Sequence, residues 1–170
     1  MPVVTFQNHV LPLKNELFRL ALRITQNRAD AEDVVQDTML RVWNRRDEWQ
    51  HIESMEAFCL TVCRNIALDR LRRMERQLHT DEQPPADIPD TSHASNPEQQ
   101  TIQHDRLQQV RRAISLLPEK QRTCMQLRDI EGKSYRDIAV ILGITEQQVK
   151  VNIFRARQTV RETVKEKFEI

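Results

Sequence analysis

The residues best suited to chemistry in this chain are amides and cations crowded onto one predicted helix near the C-terminus. From Glu146 the sequence runs EQQVKVNIFRARQTVRETVKEK. Gln147, Gln148, Lys150, Val151, Phe154, Arg155 and Arg157 are not needed as a group to pack that helix. Gln, Lys and Arg reach base edges or phosphates when a helix enters the major groove of DNA. Gln147, Lys150, Phe154 and Arg155 are read as sharing one face, with Val149 and Ile153 turned to the core. Gln147, Lys150 and Arg155 are assigned to bases, and Arg157 to phosphate or to domain packing. Other chemistries find less support. Cys59 and Cys63 stand four apart on a predicted helix and could bind metal with His51 or His79, but read more simply as small buried apolar residues. The sequence holds no Gly-rich phosphate loop, zinc-ligand cluster or paired carboxylates in an acid–base context. The expectation is a protein that is not an enzyme and takes no metal or cofactor.

Such a helix needs elements that position it, and the residues before it supply them. Ala139 is small where two helices meet at a steep angle, and Gly143 tolerates the positive φ of the turn between them. Ser134 with Asp137, and Thr145 with Gln148, are capping-box pairs at the two helix starts. The pattern predicts helices over 135–142 and 146–166. Ahead of them it predicts one over 101–116 and another from Pro118 to Ile130, closed at Gly132. A helix pair with a solvated basic face remains the plainer alternative on these residues alone.

The rest of the chain is equally helical in character. Its 170 residues include only 2 glycines, and no stretch alternates with the period of a strand. Helices are predicted over 6–26, from Asn27 to about Arg46, and over 54–78. Asn27 is a cap, with Asp30, Glu32 and Asp33 in the first turn. Val35, Met39, Val42 and Arg46 mark one side of the second helix, with Leu40 and Trp43 beside them. Residues 80–100, TDEQPPADIPDTSHASNPEQQ, cannot bury a core and read as a linker. The expected fold is therefore all-α: two small helical domains, 1–79 and 104–170, joined by a flexible acidic linker over 80–103, the second domain being a helix-turn-helix.

Charge follows the same division. Residues 1–78 carry 12 Lys and Arg against 11 Asp and Glu, residues 79–103 carry 0 against 5, and residues 104–170 carry 14 against 9. A basic unit behind an acidic strip suggests nucleic-acid binding on a tether. No apolar run is long enough to cross a membrane, and the N-terminal residues do not read as a secretory signal. The three cysteines form no disulfide framework, so a cytoplasmic location is expected.

Residues 116–162 resemble the C-terminal domain of extracytoplasmic-function (ECF) sigma factors of bacterial RNA polymerase. The resemblance is carried by Leu117-Pro118, Gln121-Arg122, Glu131-Gly132 and Arg155-Ala156-Arg157. Residues 30–37, DAEDVVQD, resemble the sigma helix that docks on the coiled coil of the polymerase's largest subunit. That implies a polymerase-binding surface of Asp33, Gln36, Asp37, Leu40 and Trp43, whose acidic part suits a basic partner. Residues 58–73 resemble the element that melts and reads the minus-ten promoter element. This implies a pocket for a flipped base lined by Trp49, Val62 and Asn65, and phosphate contacts from Arg64, Arg70, Arg72 and Arg73. The basic helix at 146–166 would read the minus-thirty-five element. The likeness implies three partners: core RNA polymerase, promoter DNA and an anti-sigma factor, with no membrane insertion. It also implies a linker that threads the polymerase near the nucleic-acid path. Two departures bear on promoter sequence: Thr61 replaces a usual Arg, and Val151-Asn152 replace a usual Ser-Arg. The chief alternative is a helix-turn-helix regulator that binds operator DNA without polymerase.

Overall fold

The structure is a computed structural model that describes residues 3–78 and 97–168, with side chains described over 3–78 and 102–165. Among the described residues there are helices and no strands. A short π-helical turn, Phe6–Val10, and a 3-10 turn, Leu11–Leu13, lead into α1 (Lys14–Thr25). The sequence reads 6–26 as one helix; Pro12 lies in its N-terminal turns and the winding tightens there. Helix α2 spans Arg28–Asn44 and α3 spans Met55–Leu78, with a 3-10 segment, Arg46–His51, between them. The second segment holds α4 (Pro97–Ser115), α5 (Glu119–Met125) continuing into a π-helical turn (Gln126–Ile130), α6 (Tyr135–Leu142) and α7 (Glu146–Phe168). The expected linker falls mostly outside the described residues, and its last residues, from Pro97, already belong to α4.

Local chemistry sets these boundaries. Gln26 takes the left-handed conformation (φ 55°) that ends α1, its N–H bonding Leu22 O at 2.8 Å. The side chain of Asn27 then accepts from Asp30 N–H at 3.0 Å and starts α2. A turn of two residues forces α1 and α2 to run antiparallel, and α3 packs on both. Leu17, Leu20 and Ile24 of α1, Val34 and Val42 of α2, and Leu60 and Cys63 of α3 are fully or almost fully buried.

The apolar core does not stop at the end of this three-helix unit. Leu127, Ile138, Ile141, Val149 and Ile153 of the second segment belong to the same continuous cluster. A smaller cluster joins α4 to α7 through Ile114, Leu117, Ala156 and Val160. A polar seam binds the two segments around the shared core. Arg19 grips Glu131 with two bonds, of 2.5 and 2.8 Å. Arg64 grips Glu119 the same way, at 3.1 and 2.9 Å. Arg23 donates to Gln126 at 2.9 Å, and the Gln26 amide donates to Ser115 O at 3.1 Å. Lys133 is inserted between Glu16 of α1 and Glu56 of α3, with little of its side chain exposed.

Two expected outcomes follow from this packing. Replacing Lys133 with Met leaves the largely buried Glu16 facing Glu56 without a cation. The cost should be about 3 kcal/mol, the lower end for a broken buried pair because Glu56 is half exposed. Urea unfolding measures it, and a triple change to Met at Lys133, Glu16 and Glu56 should recover most of the loss. Burial pushes the Cys59 and Cys63 thiols up to about 12 and Cys124 up to about 11. The folded chain thus holds protons that the unfolded chain releases near pH 9. The thiols' contribution to stability should be constant below pH 9 and be lost between pH 9 and 12. In the folded protein the three thiols should resist an aromatic disulfide reagent at pH 8 and react once unfolded.

Candidate docking and nucleic-acid surfaces

Helix α2 buries one side and leaves the other open. Ala31, Val34, Val35, Thr38 and Val42 face the core. Asp33, Gln36, Asp37, Leu40 and Trp43 are all exposed, at helical spacing that puts them on one stripe. The structure thus brings the five predicted docking residues together. Leu40 is 60% exposed, a large apolar side chain held in water beside two carboxylates. Trp43 is supported from beneath by aromatic edges, Phe6 at 5.8 Å and Trp49 at 6.1 Å between ring centroids. The Arg46 guanidinium lies 4.7 Å over the Trp43 ring. Phe6, which the sequence did not single out, and Arg46 therefore fix the apolar end of this stripe.

The seven residues predicted to meet the minus-ten element separate into three groups. Asn65, Arg72 and Arg73 are exposed on α3. Arg70 is half-buried and held by Asp30 at 3.0 Å and Asp33 at 2.9 Å. Trp49, Val62 and Arg64 are buried, which corrects the expectation of an open pocket in this arrangement. Trp49 is only 6% exposed, and its indole N–H donates to Val42 O at 3.0 Å, so the ring is a core group between α2 and α3. Val62 lies on the apolar side of α3. Arg64 is 8% exposed because Glu119, at the start of α5, occupies its guanidinium. Glu119 is in turn held by the Thr123 hydroxyl at 2.8 Å. No sequence pattern signals that pairing, since its partners lie 55 residues apart.

The helix-turn-helix forms as its local signals require. Ser134 accepts from Asp137 N–H at 3.1 Å. Thr145 and Gln148 make a reciprocal capping box at 3.0 and 3.1 Å. Gly143 takes φ 66° at the turn. Val149, Ile153, Ala156 and Val160 are the buried side of α7. Gln147, Gln148, Lys150, Val151, Phe154, Arg155 and Arg157 are all exposed. They do not share one face. Lys150 and Phe154 border a groove with Tyr135 and Arg161, whereas Gln147, Val151 and Arg155 border another with Lys120. Five positions along a helix rotate a side chain by about 140°, so Lys150 and Arg155 fall on opposite flanks. Tyr135 was missed by the sequence reading. Its ring lies 5.5 Å from Lys150 Nζ and 4.3 Å from the Arg128 guanidinium. Arg157 is held by both carboxylate oxygens of Asp129, which raises its pKa. That pairing favours domain packing over phosphate for Arg157. Among the described residues, no group of three His, Cys, Asp or Glu is placed to hold a metal ion, and no helix is long and apolar enough to cross a membrane. Cys59 and Cys63 are buried, and His79 lies outside the described residues.

Comparison with known proteins puts these surfaces in order. The family model for Sigma-70 region 2 matches residues 10–77, and that for Sigma-70, region 4 matches residues 107–160. The ECF RNA polymerase sigma factor SigL of Mycobacterium tuberculosis is 34% identical over 162 residues, covering 88% of this chain and 83% of SigL. The chain belongs to the ECF sigma-factor family. SigE of Mycolicibacterium smegmatis is 35% identical over 155 residues, and the match covers 87% of this chain but only 57% of SigE. Among solved structures, the sigma factor RpoE in complex with the anti-sigma factor NepR from Bartonella quintana is similar, with a TM-score of 0.76 and 25% identity. That match covers 94% of this chain and 96% of RpoE.

The burial of Trp49 and the exposure of Asn65 make opposite predictions for the two residues. Trp49→Ala should cost about 3–5 kcal/mol in chemical unfolding, as a core aromatic does. Asn65→Ala should leave unfolding within about 0.5 kcal/mol of the parent, as surface changes do. Any loss in capture of single-stranded minus-ten DNA by Asn65→Ala holoenzyme is then a contact effect.

Proposed function

We propose that this chain is an initiation subunit that directs core RNA polymerase to specific promoters and helps open them, without enzymatic chemistry of its own. The observation that carries the reading is the order of its two open surfaces. An acidic and apolar docking stripe on α2 lies in the segment matched as region 2. An exposed basic recognition helix lies in the segment matched as region 4. In this reading residues 1–79 dock on polymerase and hold the minus-ten strand through Asn65, Arg72 and Arg73. Residues 104–170 read the minus-thirty-five element, and 80–103 connect the two. A cytoplasmic location follows from work on the polymerase. RpoE of Bartonella quintana was crystallised with an anti-sigma factor, and we propose a partner of that kind for this chain.

The packed arrangement belongs, in this reading, to the chain before it engages a promoter. Two elements about 25 base pairs apart are separated by about 85 Å of B-DNA at 3.4 Å per base pair. Here α3 packs directly on α6. Both elements cannot be occupied until the segments part, and parting also releases Arg64 from Glu119.

The test is selection of random duplex DNA by the full-length chain with core polymerase, followed by transcription from the recovered sequences. Two spaced motifs and defined transcripts are expected. Tight duplex binding by the chain alone, unaffected by core, would instead identify an operator-binding regulator. Replacing both Asp33 and Asp37 with Lys should weaken binding to core about tenfold or more, because charge complementarity is reversed at an open site. Circular dichroism should show unchanged helicity. Full affinity for core in that variant would remove the stripe from the docking surface.

A further inference from the structure

We propose that Lys120 of α5 and Arg161 of α7 are two backbone clamps that grip a DNA phosphate on each side of the recognition helix. The inference rests on the reading of α7 as a major-groove helix and adds residues that the reading did not contain. The exposed ridge of α7 is flanked by two concave grooves. One is bordered by Lys120, Gln147, Val151 and Arg155. The other is bordered by Tyr135, Lys150, Phe154 and Arg161. At 3.6 residues per turn the centres of these two flanks lie about 120° apart on the helix, with the ridge between them. A helix about 10–12 Å across fills a major groove about 12 Å wide, so each flank faces a wall of phosphates.

Charge accounting then selects the cations. Arg157 is neutralised by Asp129, Arg64 by Glu119, Arg19 by Glu131 and Arg136 by Glu53. Lys120 and Arg161 are exposed, and neither has an ion-pair partner among the described residues. They are also staggered. Lys120 sits beside the N-terminal half of the ridge, next to Gln147 and Gln148. Arg161 lies eleven residues, or about 16 Å, beyond Lys150 along the other flank. A rod crossing a groove obliquely meets one wall near its beginning and the other near its end, and the stagger matches that crossing. Along the helix axis Lys150 and Arg155 lie between the two clamps.

The experiment uses the full-length chain and a duplex selected with core polymerase, with binding measured by fluorescence anisotropy over a range of salt. Lys120→Ala and Arg161→Ala should each flatten the slope of log K against log salt by about 0.9, and together by about 1.8. Over a fourfold rise in salt, each variant should lose about 3.5-fold less affinity than the parent. Preference among single-base-substituted duplexes should stay as in the parent, and Lys120→Arg and Arg161→Lys should restore the slope. Unchanged slopes, with Lys150→Ala and Arg155→Ala still altering base preference, overturn the clamps and leave the groove reading standing. If Lys150→Ala and Arg155→Ala also change nothing on any duplex, the groove reading falls and the clamps fall with it. A flattened slope that Lys120→Arg and Arg161→Lys do not restore would show a structural effect and overturn the proposal.

Discussion

The guanidinium of Arg64 spends its bidentate face on a single carboxylate, that of Glu119. That bidentate pair ties the first half of α3 to the first residue of α5. It is nearly buried on the Arg64 side, so neither partner is left to water. Breaking it without replacement would strand a desolvated charge, a far larger penalty than loss of a surface pair. Separation of the segments therefore demands that something anionic, or bulk water, take Glu119's place as Glu119 leaves. The same holds for Lys133, whose two carboxylates come from α1 and α3. The seam is a set of exchanges, and its strength depends on what is offered in exchange. In the reading proposed above, the promoter strand is what would supply phosphates on the side of α3 where Arg64 lies.

The docking stripe and the proposed strand surface are linked by the same kind of sharing. Arg70 bonds Asp30 and Asp33 at once. Asp33 is half exposed and lies on the open stripe of α2, while Arg70 lies on α3 among the cations nearest the proposed strand path. A basic partner approaching Asp33 competes with Arg70 for that carboxylate. Asp30, better buried, retains its hold. Docking at Asp33, as proposed, would loosen Arg70 without freeing it, so the two surfaces of the first unit are electrostatically coupled through Arg70.

What the sequence made legible was whatever depended on neighbours in the chain. The Asn27 cap, the Gly143 turn, the Thr145–Gln148 box and the buried side of α7 are all set by residues within a few positions of one another. The exposed stripe of α2 was legible for the same reason, since α2 is one uninterrupted helix. Trp49, Val62 and Arg64 were not. Trp49 carries no local mark that its indole bonds Val42 O, and Arg64 none that it meets Glu119. Gln26 illustrates the middle ground. The first two helices were expected to meet at Gln26 and Asn27, but with no glycine there nothing marked Gln26 for a positive φ. Its side chain is tied to Ser115 O, a contact 89 residues away.

The recognition helix carries its own constraint, set by the two positions at which it departs from the family pattern. Asn152 turns its amide back to Gln148 O at 2.8 Å. Its side chain is committed to its own helix and lies off the ridge. Val151 is exposed on the ridge, and Phe154, 67% exposed, stands one turn beyond it. Two apolar side chains in water at the centre of a basic surface are costly unless something apolar covers them. The major groove offers one apolar group on its base edges, the thymine methyl. A duplex that presents thymine beneath Val151 and Phe154 removes that apolar area from water, whereas guanine or cytosine there would desolvate polar edges against hydrocarbon. In the major-groove reading proposed above, hydrogen bonding by Gln147, Lys150 and Arg155 would add discrimination at the base pairs neighbouring that apolar strip.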